Sequence, residues 1–442
     1  MNRRKFLQTA AGLSVYAAAP RLWFGQRPVF KKKQYKFTSY KQTPSLVPVT
    51  KITPDDGSYI HTYFDVVPWS PSQRYYAATK LPFQNRPPVM GDLAEVCVID
   101  LHEETIETVY VTRCWGFQTG ANVNWGKTDR FLYTNDVING TAVCVRIDLE
   151  TGETRSYAGP LYHMAPDESV IIGFPHELRD ATQFGYGVPP VDYNHIKKLP
   201  PGASHTEGVW QTDLRTNEKK LLVSLANVAS LVPKPPPREG GTFYFWHSKF
   251  NPQGTRIYQV LRCIFPGYDY QTPPNPMVFS FNADGSDIHF TSPGFKVWDA
   301  PGGHPNWHPN GEYILRHFKT EDDIKRFFLF KYDGSEIKQL SERIIASGHP
   351  SFEPSGRFLI TDDDDKDDDG NSIIILRLID FSSDKAEVVC TMPTINWRDT
   401  GHKVLELDGH PVWNRDFTQV CLQAAPKGSR QLYVFDVKKL MG

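Results

Sequence analysis

The sequence predicts an all-β fold: a seven-bladed β-propeller closed by an N-terminal strand that pairs with the last blade. Three observations predict it. A turn pattern recurs seven times, each copy is followed by a strand with its own turn, and the last copy is one strand short.

The recurring pattern is an aromatic, one residue, a Pro, a turn and an apolar run. It reads Trp69-Ser70-Pro71 before 75–80. It is degenerate at Trp125 before Arg130-Phe131-Leu132-Tyr133 and at Ala165-Pro166-Asp167 before Val170-Ile171-Ile172. It is clear at Phe250-Asn251-Pro252, Trp307-His308-Pro309 and Phe352-Glu353-Pro354, and degenerate again at Trp413-Asn414-Arg415-Asp416. Each copy reads as a hairpin. After the hairpin comes another strand with an Asp-x-x-x-Gly type of turn, as in residues 97–111, 144–158 and 328–341.

The seventh copy stops after residues 432–437 with no fourth strand, and an unfinished blade would leave an open edge. Residues 46–52 are suited to supply the missing strand by pairing with 432–437. The Pro-rich stretch 173–204, with Tyr186 and Tyr193, reads as an insertion over one face.

Composition agrees. The chain has 442 residues, 13% aromatic, with 32 Gly and 35 Pro, which suits many short strands and tight turns. Repeats escape the usual limit on single-core size because each packs only on its neighbours. A net charge of −1 with no basic stripe points away from nucleic acid. Cys97, Cys114, Cys144, Cys263, Cys390 and Cys421 are scattered, without a Cys-x-x-Cys, and read as small core residues.

Arg3-Arg4, then Phe6-Leu7 and a mild apolar run over 9–19, match a bacterial twin-arginine export signal, with Ala17-Ala18-Ala19 as a cleavage site. That run is too short to span a bilayer. The expected organisation is a signal peptide over 1–19, a linker over 20–45 and one propeller domain over 46–442. The expected protein is periplasmic or secreted, without a membrane span, and monomeric.

Aligned on the aromatic, the residues three positions earlier are Val66, Asn122, Leu161, His247, His304, His349 and His410. Innermost strands line the axial channel, so equivalent positions on adjacent blades converge. Four imidazoles on one side can bind one divalent metal, with Asn122 as a polar neighbour. They can equally be a structural blade motif, or a metal-free catalytic or binding set. Arg179 and Tyr186 near the insertion, Arg262 after the strand that carries His247, and Gln118 in a Gly-flanked turn are further site candidates. The acidic run 362–369 reads as a solvated loop. Asp365, Asp367, Asp369 and Gly370 mimic the start of a calcium loop, but Leu376 stands where an EF-hand has Glu.

The segments 115–120, 246–256, 302–311 and 348–356, with their His-bearing strands, resemble the oligogalacturonate lyases and related TolB-like propellers, including the propeller-type ulvan lyases. The resemblance runs over nearly the whole chain after the signal. It implies β-elimination across a uronate in an acidic polysaccharide or oligosaccharide, with a divalent metal (Mn2+, Ca2+ or Zn2+) on the propeller axis. It implies His304, His349 and His410 as metal ligands and His247 as ligand or base. Arg179 and Tyr186 resemble the Arg and Tyr of the ulvan lyase sites. Two features depart from the pattern: the chain has no His-x-His pair, and Asn124 stands before Trp125 where the ulvan-type enzymes have His.

The chemistry needs a base at C5, an acid at the C4 oxygen and a cation for the charge that builds on the carboxylate. The sequence offers His247 and Tyr186 for the first two and Arg179, Arg262 or a metal for the third, with Gln118, Asn122 and Asn124 as substrate contacts. The alternative is a non-enzymatic TolB-like propeller that binds carbohydrate or protein.

Overall fold

The computed structural model describes residues 24–26, 32–268, 276–292, 298 and 302–442. The export signal expected over 1–19 lies outside the described residues.

Seven antiparallel sheets form seven consecutive blades, numbered here in chain order by their inner strands. Blade 1 runs outward from Ser58–Ile60 through Tyr75–Leu81 and Ala94–Asp100 to Thr105–Thr112. Blades 2 to 6 begin at Asn124–Trp125, His163–Met164, Thr242–Phe250, Gly302–Trp307 and Ser351–Phe352. Blade 7 begins at Val412–Trp413 and continues through Gln419–Ala424 and Gln431–Asp436.

Blade 7 is completed from the N-terminus, as the unfinished seventh copy predicts. Val49–Lys51 pairs with Gln431–Asp436, Thr50 standing opposite Val434. The chain is strapped on further than that one strand. Thr38–Ser39 adds a fifth strand to blade 7, Lys33–Gln34 one to blade 1 and Phe24–Gln26 one to blade 2. Three short strands thus fall within the segment expected as a linker.

The recurring aromatics tie blade to blade. The indole N–H of Trp125 donates to Pro68 O at 2.8 Å, that of Trp307 to Lys249 O at 3.0 Å, and that of Trp413 to Ser351 O at 3.0 Å. Each acceptor is the residue just before the aromatic of the preceding blade, so one side chain fills the core and satisfies a buried carbonyl. Gly254, Gly311 and Gly356 hold the hairpin turns at φ of +70°, +74° and +74°, a region that disfavours other residues. All six cysteines are free and buried.

Candidate functional site

A cavity of about 560 Å³ opens at the mouth of the channel, where the inner strands of blades 4 to 7 begin. The inner strands of blades 4 and 5 are bulged there. The register shifts between Phe245 and Ser248 and between Gly303 and Asn306, and His247 and His304 sit in those shifts. A bulge re-aims side chains, here towards the axis. His304 and His410 also hold left-handed backbone, at φ of 45° and 46°, which is uncommon for a non-glycine residue.

The four histidines predicted from the repeats do meet around the axis, in two groups. The ring centroids of His304 and His349 are 4.0 Å apart, and those of His349 and His410 are 4.4 Å apart. His247 lies across Tyr63, whose ring stacks on it at 5.1 Å and meets His410 edge-on at 4.5 Å. Tyr63 and its neighbour Phe64 carry no repeat signal; their rings pack against the imidazoles, Phe64 lying 5.2 Å from His349.

One carboxylate organises the group of three. Asp362 accepts the backbone N–H of His349 at 2.7 Å and that of His410 at 3.0 Å, and its Oδ1 lies 2.9 Å from His349 Nδ1. Burial lowers the His349 pKa, but the charge and hydrogen bond of Asp362 outweigh it and leave it raised. His304 is fixed in the same way by Gly348 O, 2.7 Å from its Nδ1. Gln423 Nε2 stands 2.9 Å from Nδ1 of His410.

These contacts occupy Nδ1 and leave Nε2. The ligand atoms of His349, Asp408 and His410 lie within 4.8 Å of one another. Nε2 of His410 is buried without a hydrogen-bond partner, as is Oε1 of Gln423. A buried unpartnered polar atom is costly and points to an absent ion or water. Gln423 Nε2 also donates to Asp408 O at 3.0 Å, so one amide holds both His410 and Asp408 in place. A ligating imidazole oriented through its other nitrogen, one of them by a carboxylate, is the usual arrangement around a bound metal. The donor set therefore fits a divalent cation.

The sequence-based ligand set was His304, His349 and His410. Among the described residues, the group whose ligand atoms lie within 4.8 Å of one another joins Asp408 to His349 and His410, and His304 stands beside His349. Asp408 occupies the first position of an Asp-x-His pair, where the resemblance called for His-x-His.

His247, Tyr186 and Arg262 line the same cavity. His247 Nδ1 is hydrogen-bonded to the Tyr162 hydroxyl. Burial holds the imidazole well below its ordinary pKa, with the positive charges of Arg179 and Arg262 adding to the effect. Arg262 donates to Gln183 Oε1 at 2.9 Å, and Gln183 Nε2 donates to the Tyr186 hydroxyl at 3.4 Å. Burial pulls the Arg262 pKa down to about 10, still charged at neutral pH. Burial also raises the Tyr186 phenol, with Asp408 adding to it, against the lowering pull of Arg262 and Arg179. The phenol is thus held in its protonated form.

Arg179 does not reach the cavity. It is 1% exposed, with its guanidinium 4.9 Å from the ring of Trp246 and 5.3 Å from that of Tyr186. It acts from behind the wall. Gln118, Asn122 and Asn124 are also away from the cavity lining. Gln118 donates to Glu406 O, Asn122 to Leu161 O and Asn124 to Asn122 O, so their amides serve the backbone.

Glu406 and Asp408 share one wall, a carboxylate pair that precedes the inner strand of blade 7. Burial raises both: Glu406 to about 7, with the charge of Asp408 adding, and Asp408 with the charges of Asp362 and Asp364 adding against those of His349 and Lys403. Lys403 pairs with Glu406. The acidic run is a hairpin tip rather than a loop of ligands: Asp365 is paired with Ile373 in strand, and Asp367 accepts from Asn371.

The fold has solved counterparts. An oligogalacturonate lyase in complex with manganese aligns at a TM-score of 0.66 and 16% identity, covering 92% of this chain and 97% of its own. The oligogalacturonate lyase of Vibrio parahaemolyticus aligns at 0.65 and 13%, covering 92% and 98%. No protein-family model matches the chain, and no curated protein does. The chain is thus a seven-bladed β-propeller of the same fold as the oligogalacturonate lyases, end to end over the described blades.

Proposed function

We propose that the protein is a lyase that cleaves a uronate-containing glycan by β-elimination with the help of a divalent metal. The observation that carries this reading is the meeting of three different groups in one cavity. They are a neutral imidazole on His247, a charged guanidinium on Arg262 and the His349–Asp408–His410 ligand set. The manganese complex of the similar lyase supports it.

The residues divide the work as follows. With Nδ1–H donating to the Tyr162 oxygen, His247 presents the Nε2 lone pair to the cavity and takes the C5 proton. The C–H electrons form the C4–C5 double bond and the C4–O bond breaks. Tyr186, which burial keeps protonated, gives its proton to the departing oxygen. Arg262 faces the uronate carboxylate as charge builds on it, and Gln183 holds Arg262 and the Tyr186 hydroxyl in register. A divalent ion on His349, Asp408 and His410 would add positive charge at that carboxylate.

The acidic wall fits this reading. Asp362 is bound to His349, Asp363 is paired with Arg377 and Glu406 with Lys403, Asp408 would be a ligand, and Asp364 remains on the cavity wall. Product mass tests the reaction type. Elimination yields an unsaturated fragment one water lighter than its hydrolytic counterpart, and products carrying the added water would contradict it.

A further inference from the structure

The cavity continues past its chemical centre to a rim built by the connection between blades 6 and 7. There a short helix, Trp397–Thr400, presents Trp397 and Arg398 to the same space. Asn396 caps its start by accepting Arg398 N–H at 3.0 Å, and Gly401 ends it in left-handed backbone. The turn is thus held by its own sequence.

Two features of this rim leave groups available to a ligand. Several arginines that reach solvent elsewhere are paired: Arg74 with Asp100 at 2.8 Å, Arg130 with Asp148 at 2.7 Å and Arg357 with Asp380 at 2.8 Å. Arg398 has no acidic partner among the described residues, and its guanidinium lies 5.0 Å from the Trp397 ring. Lys325, which also lines the cavity, has no such partner either. The blade tryptophans donate their indole N–H to carbonyls. That of Trp397, half-buried at the rim, makes no hydrogen bond with a described residue. An indole face supports the apolar face of a pyranose ring, and an unpaired cation beside it takes a carboxylate.

We infer that Trp397 and Arg398 form an outer subsite for a second acidic sugar, linked to the one held at Arg262. The inference rests on the lyase reading of the cavity and makes the preferred ligand at least two uronates long. Arg262 and Arg398 then hold successive carboxylates, while Trp397 carries the outer ring.

Binding tests this without turnover. The full chain carrying His247→Ala and loaded with Mn2+ is titrated calorimetrically with trigalacturonate and with its methyl ester. The acid trimer is expected to bind and the ester to bind more weakly. Adding Trp397→Ala or Arg398→Gln is expected to cost about five- to tenfold in affinity for the acid, the range of one cation–π or stacking contact. The Arg398 change is expected to shrink the preference for acid over ester, the part owed to Arg262 and the metal remaining. Arg343→Gln, an exposed arginine away from the cavity, should bind as the parent does. Equal affinity for acid and ester, no trimer binding, or wild-type affinity in both rim variants would each overturn the subsite. Binding that depends on the rim, in a protein whose His247 form makes no unsaturated product, would uphold the subsite and remove the lyase reading instead.

Discussion

His349 Nδ1 lies 2.9 Å from Oδ1 of Asp362, and that carboxylate also accepts the backbone N–H of His349. Asp362 thereby fixes both the rotation of the imidazole and the nitrogen that faces the cavity. Since it holds His410 N–H as well, one buried carboxylate sets two of the three candidate ligands.

Asp362→Asn is therefore expected to weaken binding of a divalent metal about 10- to 100-fold, the usual cost of losing such a partner. Metal titration against a competing chelator measures it. Wild-type affinity in the variant would show that the His349–Asp408–His410 group is not where metal binds.

Removing the base and the acid should separate cleanly. His247→Ala is expected to lower turnover about 10²- to 10⁴-fold while leaving metal content intact. Tyr186→Phe should also slow turnover, but much less on a uronate carrying a good leaving group at C4, which needs no proton. Equal slowing of Tyr186→Phe on both substrates would remove Tyr186 from the acid role.

The pH profile follows from the surroundings of His247. A general base works deprotonated, so kcat/KM rises with pH through its pKa. Burial first, then Arg179 and Arg262, place that pKa well below the ordinary 6.5, so the rising limb should lie on the acid side of 6.5. Arg179→Met takes away one positive charge and should move the limb to higher pH. A limb that stays in place would show that Arg179 does not act on His247.

Closure of the ring is testable by stability alone. Thr50 stands between Ser39 and Val434 in the strand that completes blade 7. Thr50→Pro removes a backbone donor inside a sheet and should lower the melting temperature. An unchanged melting temperature would contradict the role of that strand in closing the ring.

The blades were legible in the sequence because their signals are physical and repeated. Trp125, Trp307 and Trp413 recur because each joins two blades, and Gly254, Gly311 and Gly356 because the turns need left-handed backbone. The histidines were legible as positions in that repeat. Their partners were not. Asp362 opens a run of acidic residues that reads as solvated surface, and only the strand Phe358–Lys366 shows that its first aspartate turns inward while the last ones are exposed. Tyr63 lies in a connection with no repeat to mark it. Asp408 was hidden by the expectation of a His-x-His pair, although it sits two residues before His410. Asn122 and Asn124 show the reverse error: polar residues at the right register whose amides are spent on the backbone.

The most direct test of the central claim is ultraviolet absorbance of the Mn2+-loaded protein with a panel of galacturonate- and glucuronate-containing glycans. A chelated sample and the His247→Ala variant serve as controls. The account predicts a rising signal from an unsaturated uronate on at least one glycan, lost in both controls. A flat signal across the panel from metal-loaded, folded protein would contradict it.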